Sequence, residues 1–195
     1  LAAKGVVVVT INYRLCPLGF LSHPELSAEG CQGNQGLLDT VFALQWVQRN
    51  ISQFGGDAAN VTVFGESAGG HSTCAMFTSP LCKGLVHRAI AQSGMGAQAT
   101  QLLDKPGAVP ISAHDTGEIL GEVIGCEKGK DQLQAMRGID VDELISKTAA
   151  FPIPGVIIDG YCQPENPLSM IRKGQHNDIP LMIGSNADEG SALYW

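Results

Sequence analysis

Ten consecutive residues constrain this chain more than any other stretch. Val61-Thr62-Val63-Phe64-Gly65-Glu66-Ser67-Ala68-Gly69-Gly70 carries four strand-forming residues straight into a Gly-x-Ser-x-Gly pentad followed by small residues. This is the pattern of a nucleophile elbow, a tight turn that leaves a serine hydroxyl exposed at the foot of a helix. Side chains at positions 65 and 69 would clash where strand and helix cross so closely, which accounts for Gly65 and Gly69. Ala68 would offer its backbone N–H to an oxyanion hole. The pentad alone also fits an ordinary strand-to-turn connection. The strand before Ser67, and the absence of β-branched residues just after it, favour the elbow.

The rest of the chain alternates strand and helix signals. Gly5 to Tyr13 reads as a strand, and the uninterrupted Val6–Thr10 run predicts burial on both faces, as in a parallel sheet. Residues 15–35 read as a long connection without regular structure, a kind that often carries function. Leu37, Val41, Leu44, Val47 and Ile51 share one apolar face of a helix over Gly36 to Gln48. Phe42 and Trp46 are expected to pack, with a pocket wall as the alternative. A helix follows Ser67 as far as Thr78, where Ser79-Pro80 stops it. Strands are expected at Leu85–Gln92, Val156–Ile158 and Ile179–Gly184, and helices over 113–124, 130–136, 141–147 and 165–173. Residues 104–112 read as a surface loop or a lid boundary, and Phe151–Gly155 as a rigid irregular segment. The order predicts an α/β fold on a mostly parallel sheet.

With 195 residues, 44% apolar and 16% charged, the chain is of a size for one globular domain with a real core. The net charge is −7 and basic residues never cluster, which excludes a nucleic-acid surface. Val6–Val9 is far too short to span a bilayer. Among the six cysteines there is no CxxC pair, so zinc and iron–sulfur sites lack support, and most of the thiols are expected to be buried fillers or free. Asn50-Ile51-Ser52 and Asn60-Val61-Thr62 match glycosylation acceptors, a pattern common by chance. The chain starts one short step before a strand and stops at Trp195 without a terminal element. It is expected to be a piece of a longer sequence, and its localisation is not legible from its ends.

The chain resembles the type-B carboxylesterases, the family that includes cholinesterases and some fungal lipases. The likeness runs through Asn12-Tyr13-Arg14, Gly33-Asn34-Gln35-Gly36-Leu37-Leu38-Asp39, Ala43-Leu44-Gln45-Trp46-Val47, Phe54-Gly55-Gly56-Asp57, Gly65–Gly70, Gln92-Ser93-Gly94 and Gly184-Ser185-Asn186-Ala187-Asp188-Glu189-Gly190. It implies an α/β-hydrolase fold, a central mostly parallel sheet with helices on both faces. Residues 1–195 would be the central fragment of one catalytic domain, lacking the N-terminal strands and the C-terminal part. It further implies hydrolysis of small-molecule carboxylic esters through an acyl-enzyme, with no cofactor and no metal. Ser67 matches the nucleophile, Glu189 the triad acid and Ala68 an oxyanion donor. Glu66 matches a buried structural acid, and Ser93 a serine that positions the triad acid. The glycine-rich oxyanion loop would lie before Leu1 and the triad histidine beyond Trp195. A family disulfide is expected to be missing, because the partner position of Cys126 falls on Ala135. Family members without a working triad serve as adhesion modules, which is the alternative function.

A serine hydroxyl needs a base within hydrogen-bond reach and an acid to fix that base. Among the histidines present, His71 lies one helical turn from Ser67 but has no acid placed to orient it, and His23 could line a gorge. His87, His114 and His176 read as structural. Asp39 is expected in the structural core, and Arg14 is a candidate partner for a buried acid such as Glu66. The retained aromatics do not point to a quaternary-ammonium site. Esters with short or medium acyl chains are therefore the expected substrates.

Overall fold

A computed structural model describes residues 1–94, 101–129, 131–152 and 155–193. Three parallel strands, β1 (Thr62–Glu66), β2 (Arg88–Gln92) and β3 (Leu181–Gly184), form a sheet in chain order. The register joins Phe64 to Ile90 and Ile90 to Met182. Parallel neighbours require crossovers. The crossover from β1 is α4 (Ala68–Thr78), and the one from β2 includes α5 (Ala113–Val123), α6 (Gln132–Arg137), α7 (Val141–Thr148) and α8 (Pro167–Arg172).

The main core lies between the sheet, α4 and the long helix α3 (Gln35–Asn50). The face expected for α3 is the one observed: Leu37, Val41, Leu44, Val47 and Ile51 are all buried. Phe42 and Trp46 fall off that face and do not pack into the core. Phe42 is 64% exposed beneath Arg49, and Trp46 leans against Phe54. A second, smaller core gathers Leu120, Ile124, Cys126 and Met136. All six cysteines are free thiols, Cys126 included. Burial pushes the Cys82 and Cys162 thiols up to about 12, so both remain neutral fillers.

Three expectations are corrected. Gly5–Tyr13 is not a strand: Val6 to Val9 are each more than two-fifths exposed, and neither β1 nor β3 pairs with the segment. A strand exists only when a neighbour completes its hydrogen bonds, and among the described residues none does. Residues 15–35 are not wholly irregular. Pro17 and Pro24, each in the first turn of a helix, start α1 (Cys16–Phe20) and α2 (Pro24–Ala28). Val156–Ile158 contributes only an isolated bridge between Ile158 and Leu102. Residues 104–112 contain no helix or strand. Of the irregular segment 151–155, Ile153 and Pro154 lie outside the described residues, as does Lys130 at the start of the helix expected over 130–136.

The segment before α3 is held by polar clamps. Arg14 pairs with Asp39, not with Glu66: its N–H and Nε both donate to Oδ2 at 2.9 Å, and Nη2 donates to Oδ1 at 2.8 Å. The Arg14 carbonyl lies so close to Gly19 and Gly36 that a Cβ on either would sit 2.1 or 2.4 Å from it. Asn34 is 1% exposed and binds the far end of the chain. Its amide donates to the Ile157 carbonyl and to Asp159, and its oxygen accepts from the Ile157 N–H. Segment 23–29 is strapped to α5 and α6. His23 meets Gln132, Glu25 accepts from the Leu133 N–H, Ser27 meets His114, and Glu29 pairs with Arg137. His23 is thus 1% exposed with both ring nitrogens engaged, the second accepting from the Glu25 N–H, and it lines no gorge.

The Arg14 guanidinium holds the Asp39 carboxyl below its ordinary value of 3.8, against the opposing effect of burial. A lowered folded-state value stabilises the fold at pH above the ordinary value, and that contribution disappears as pH falls through the lowered value. Asp39→Asn is therefore expected to destabilise the protein at pH 6–7. The gap to wild type should close progressively below about pH 4. Urea unfolding at a series of pH values checks this, and a gap independent of pH would contradict it.

Candidate active site

Parallel strands place all their C-terminal ends at one edge of the sheet, and the sequence-predicted residues gather there. Ser67 follows β1, Ser93 follows β2, and Glu189 follows β3 after a short turn. The ladder continues past the strands at this edge. The Ser67 N–H donates to the Gln92 carbonyl at 2.9 Å, and the Ser93 N–H donates to the Gly184 carbonyl at 2.8 Å.

Ser67 has φ 52° and ψ −114°, a conformation that L-residues rarely adopt. Such a residue costs about 1–3 kcal/mol and persists only where its surroundings enforce it. Here the enforcement is backbone against backbone. A Cβ on Gly65 would lie 2.5 Å from Gly69, so helix α4 can start only if position 65 is bare. Gly69 itself faces open space, so its own side-chain position is not the one that would clash. The second close approach falls one residue later, where the pentad gives no sign of it. A Cβ on Gly70 would meet the Gln92 carbonyl at 2.7 Å and Gly94 at 2.8 Å, and a Cβ on Gly94 would meet Gly70 at 2.4 Å. The sequence sign of this pair is a glycine within three residues after each serine, Gly69 and Gly70 after Ser67 and Gly94 after Ser93.

Ala68 is the first residue of α4, so its N–H is one that no helical carbonyl can accept. Glu66 is exposed, in contrast to the buried acid expected. Strand alternation puts it on the same side of β1 as Phe64, which is 53% exposed, and among the described residues β1 pairs only with β2. Ser93 also has a positive φ, 51°. Hydrogen bonding from the Ser93 side chain, then from Asn186, holds the Glu189 carboxyl below its ordinary value of 4.5 against the opposing effect of burial. The Asn186 N–H donates to Glu189 Oε2 at 3.1 Å, a contact to which no motif in the sequence points.

The histidines divide by what they touch. His87 accepts from the Val61 N–H, and His114 is bound to Ser27. His176 stacks on Phe77 with ring centroids 4.9 Å apart. His71 is half-buried on the first turn of α4, and its backbone N–H donates to the Ser67 carbonyl. Among the described residues, no group of three His, Cys, Asp or Glu side chains could hold a metal, and no helix is long and apolar enough to cross a membrane.

A family model described as the carboxylesterase family matches residues 1–194. The chain belongs to that family. It is 42% identical to fumonisin B1 esterase of Sphingopyxis macrogoltabida, over 99% of the chain and 35% of that protein. It is 40% identical to para-nitrobenzyl esterase of Bacillus subtilis (strain 168), over 100% of the chain and 40% of that protein. Human cocaine esterase is 38% identical over 96% of the chain and 32% of its own length. A solved PNB esterase structure superposes with a TM-score of 0.79 at 36% identity, covering 94% of the chain and 39% of that structure. The fold is thus that of the α/β-hydrolases. The chain spans about a third to two-fifths of the length of these relatives.

The Gly70–Gly94 contact yields a sharp expectation. Gly94→Ala should force the Ser93 turn away from α4 and lower the unfolding free energy by about 1–3 kcal/mol, as overpacking does elsewhere. Gly69→Ala, with open space around it, should cost less. Denaturation of both variants tests the order, and equal midpoints would refute it.

Proposed function

We propose that this chain is the central part of a carboxylesterase domain that hydrolyses small-molecule carboxylic esters, with Ser67 as nucleophile. The observation that carries the reading is the backbone of Ser67, turned to φ 52° between a strand and a helix at the sheet edge where Glu189 also stands. Relatives named for para-nitrobenzyl esters, fumonisin B1 and cocaine agree on ester hydrolysis and differ in substrate.

In this reading the Ser67 hydroxyl adds to the ester carbonyl while a histidine takes its proton. That histidine belongs to a part of the domain outside residues 1–195. The oxyanion formed is stabilised by the Ala68 N–H at the start of α4 and by donors from a glycine-rich loop, also outside this chain. One such donor contributes about 3–4 kcal/mol to transition-state stabilisation in a related case. Collapse expels the alcohol, which receives the proton from the imidazolium. Water then attacks the acyl-serine by the same route and releases the carboxylic acid. Glu189 orients the imidazole and stabilises its charged form. Ser93 supports Glu189, and Glu66 stands beside the nucleophile at the end of β1. Since Ser93 and Asn186 hold Glu189 below the usual carboxylate range, it is ionised throughout the neutral range. Residues 1–195 alone should be inactive towards esters.

Hydrolysis of a short-chain p-nitrophenyl ester by the full-length protein tests the assignment. Ser67→Ala should lower kcat by roughly 10⁵-fold or more without a change in melting temperature. Glu189→Gln should lower it by roughly 10³–10⁴-fold. Activity retained by a folded Ser67→Ala protein would remove the assignment.

A further inference from the structure

Burial or exposure alone describes five of the six thiols. Cys74, Cys82, Cys126 and Cys162 are buried, and Cys16 is exposed at the start of α1. Cys31 differs. It is half-buried in the turn before α3, its N–H on the Leu26 carbonyl at 2.9 Å. Gln35, the first residue of α3 and only 8% exposed, turns its carboxamide onto the sulfur. Nε2 donates to Cys31 Sγ at 2.7 Å and to the Leu21 carbonyl at 3.2 Å. A backbone carbonyl can only accept, so the amide nitrogen must face Leu21, and this fixes which way round the carboxamide sits. Oε1 is then buried with no hydrogen-bond partner among the described residues. A buried acceptor left in that state costs about 1–3 kcal/mol.

The carboxamide therefore brings a donor and an acceptor to one sulfur, and the thiol answers only the donor. A thiol S–H is a weak donor, whereas a hydroxyl is a strong one. A sulfenic acid, S–O–H, places a hydroxyl one bond beyond the sulfur. Oε1 shares a carbon with the nitrogen already on Sγ, so that hydroxyl comes within its reach while the Nε2 bond to sulfur is kept.

We propose that Cys31 is a modification site, oxidised by a hydroperoxide to a sulfenic acid that the Gln35 carboxamide holds. With hydrogen peroxide, sulfur attacks one oxygen, and the S–O bond forms as the O–O bond breaks. Sulfur gives up two electrons. The departing hydroxide takes the thiol proton and leaves as water. The oxygen on sulfur keeps its own hydrogen, and that hydrogen is donated to Oε1. Half-burial admits a molecule as small as peroxide. A sulfenic acid in open solvent goes on to a sulfinic acid or condenses with a second thiol. At Cys31 the bonds to Gln35 hold the product at its first stage, whereas Cys16, though more exposed, stands in solvent without such a cradle.

The experiment treats the full-length protein with hydrogen peroxide, removes the excess with catalase, waits, and then adds dimedone, which traps sulfenic acids. Mass spectrometry reads the yield at each cysteine, and a melting temperature is taken for each variant. In wild type the trapped yield at Cys31 should exceed that at Cys16 by about fivefold or more. Gln35→Leu removes both the donor and the acceptor and should bring Cys31 down to the level of Cys16. The comparison of the two cysteines within wild type carries the test if that variant does not fold. Ser67→Ala should give the wild-type pattern, so the proposal stands or falls apart from ester hydrolysis. A Cys31 yield no higher than that of Cys16, or a Cys31 found only as sulfinic acid, would overturn it. So would an unchanged Cys31 yield in folded Gln35→Leu.

Discussion

The arrangement at the C-terminal edge of the sheet depends on backbone passing within contact distance of backbone. Gly65 against Gly69, and Gly70 against Gly94 and the Gln92 carbonyl, leave no room for a Cβ at positions 65, 70 and 94. Helix α4 can therefore begin immediately at the strand end and lie directly on β1 and β2. Its last six residues, Thr73–Thr78, are buried. A helix enclosed in this way has no polar face to display. That is why its sequence, Ala-Gly-Gly-His-Ser-Thr-Cys-Ala-Met-Phe-Thr, reads as small and apolar without a clear stripe. The unusual backbone of Ser67 is a consequence of this seating. Bonds from its N–H to Gln92 and from the His71 N–H to its carbonyl lock both sides of the turn.

Around that rigid edge, buried or half-buried polar groups connect distant parts of the chain. Asn34 reaches Ile157 and Asp159, more than 120 residues away. Gln132, 1% exposed, accepts from His23 Nε2 through its amide oxygen and donates to the Glu118 and Cys126 carbonyls. Groups of this kind add little net stability when satisfied, about 0.5–1.5 kcal/mol each, but cost more when left without a partner. Their effect is to specify arrangement: segment 23–29 can dock on α5 and α6 in one register only. The connection at 15–35 is thereby turned from a loop into a strap between the two cores.

What is legible in the sequence follows from how far each signal reaches. The face of α3 and the strand-turn-helix at Ser67 are local patterns, and α3, β1 and α4 stand within a residue or two of where periodicity and the glycines place them. The strand expected at Gly5–Tyr13 fails because a valine run states a preference, while a strand requires a neighbour that no window of sequence contains. The partner of Arg14 is hidden for a similar reason. The sequence offers Glu66 as its acid, whereas in the fold the Arg14 carbonyl packs against Gly19 and Gly36 and the guanidinium meets Asp39. Phe42 and Trp46 show that aromatic character alone does not choose the buried face of a helix when the aliphatic period points elsewhere. His23 is the same lesson for a site residue, since its role is set by a glutamine 109 positions away.

The nucleophile and its proposed acid are held by different physics. Ser67 is positioned by excluded volume, within a core that cannot shift without unpacking α4. Glu189 is positioned on an exposed turn by donors at Ser93 and Asn186. Excluded volume fails all at once, so substitutions at Gly65, Gly70 or Gly94 should appear first as lost stability. Hydrogen bonds to a half-buried carboxylate fail by degrees, leaving a folded protein whose acid points less often in the useful direction. Rate and stability are therefore separable at this edge, with the serine side governed by packing and the acid side by a few polar contacts in the turn that follows β3.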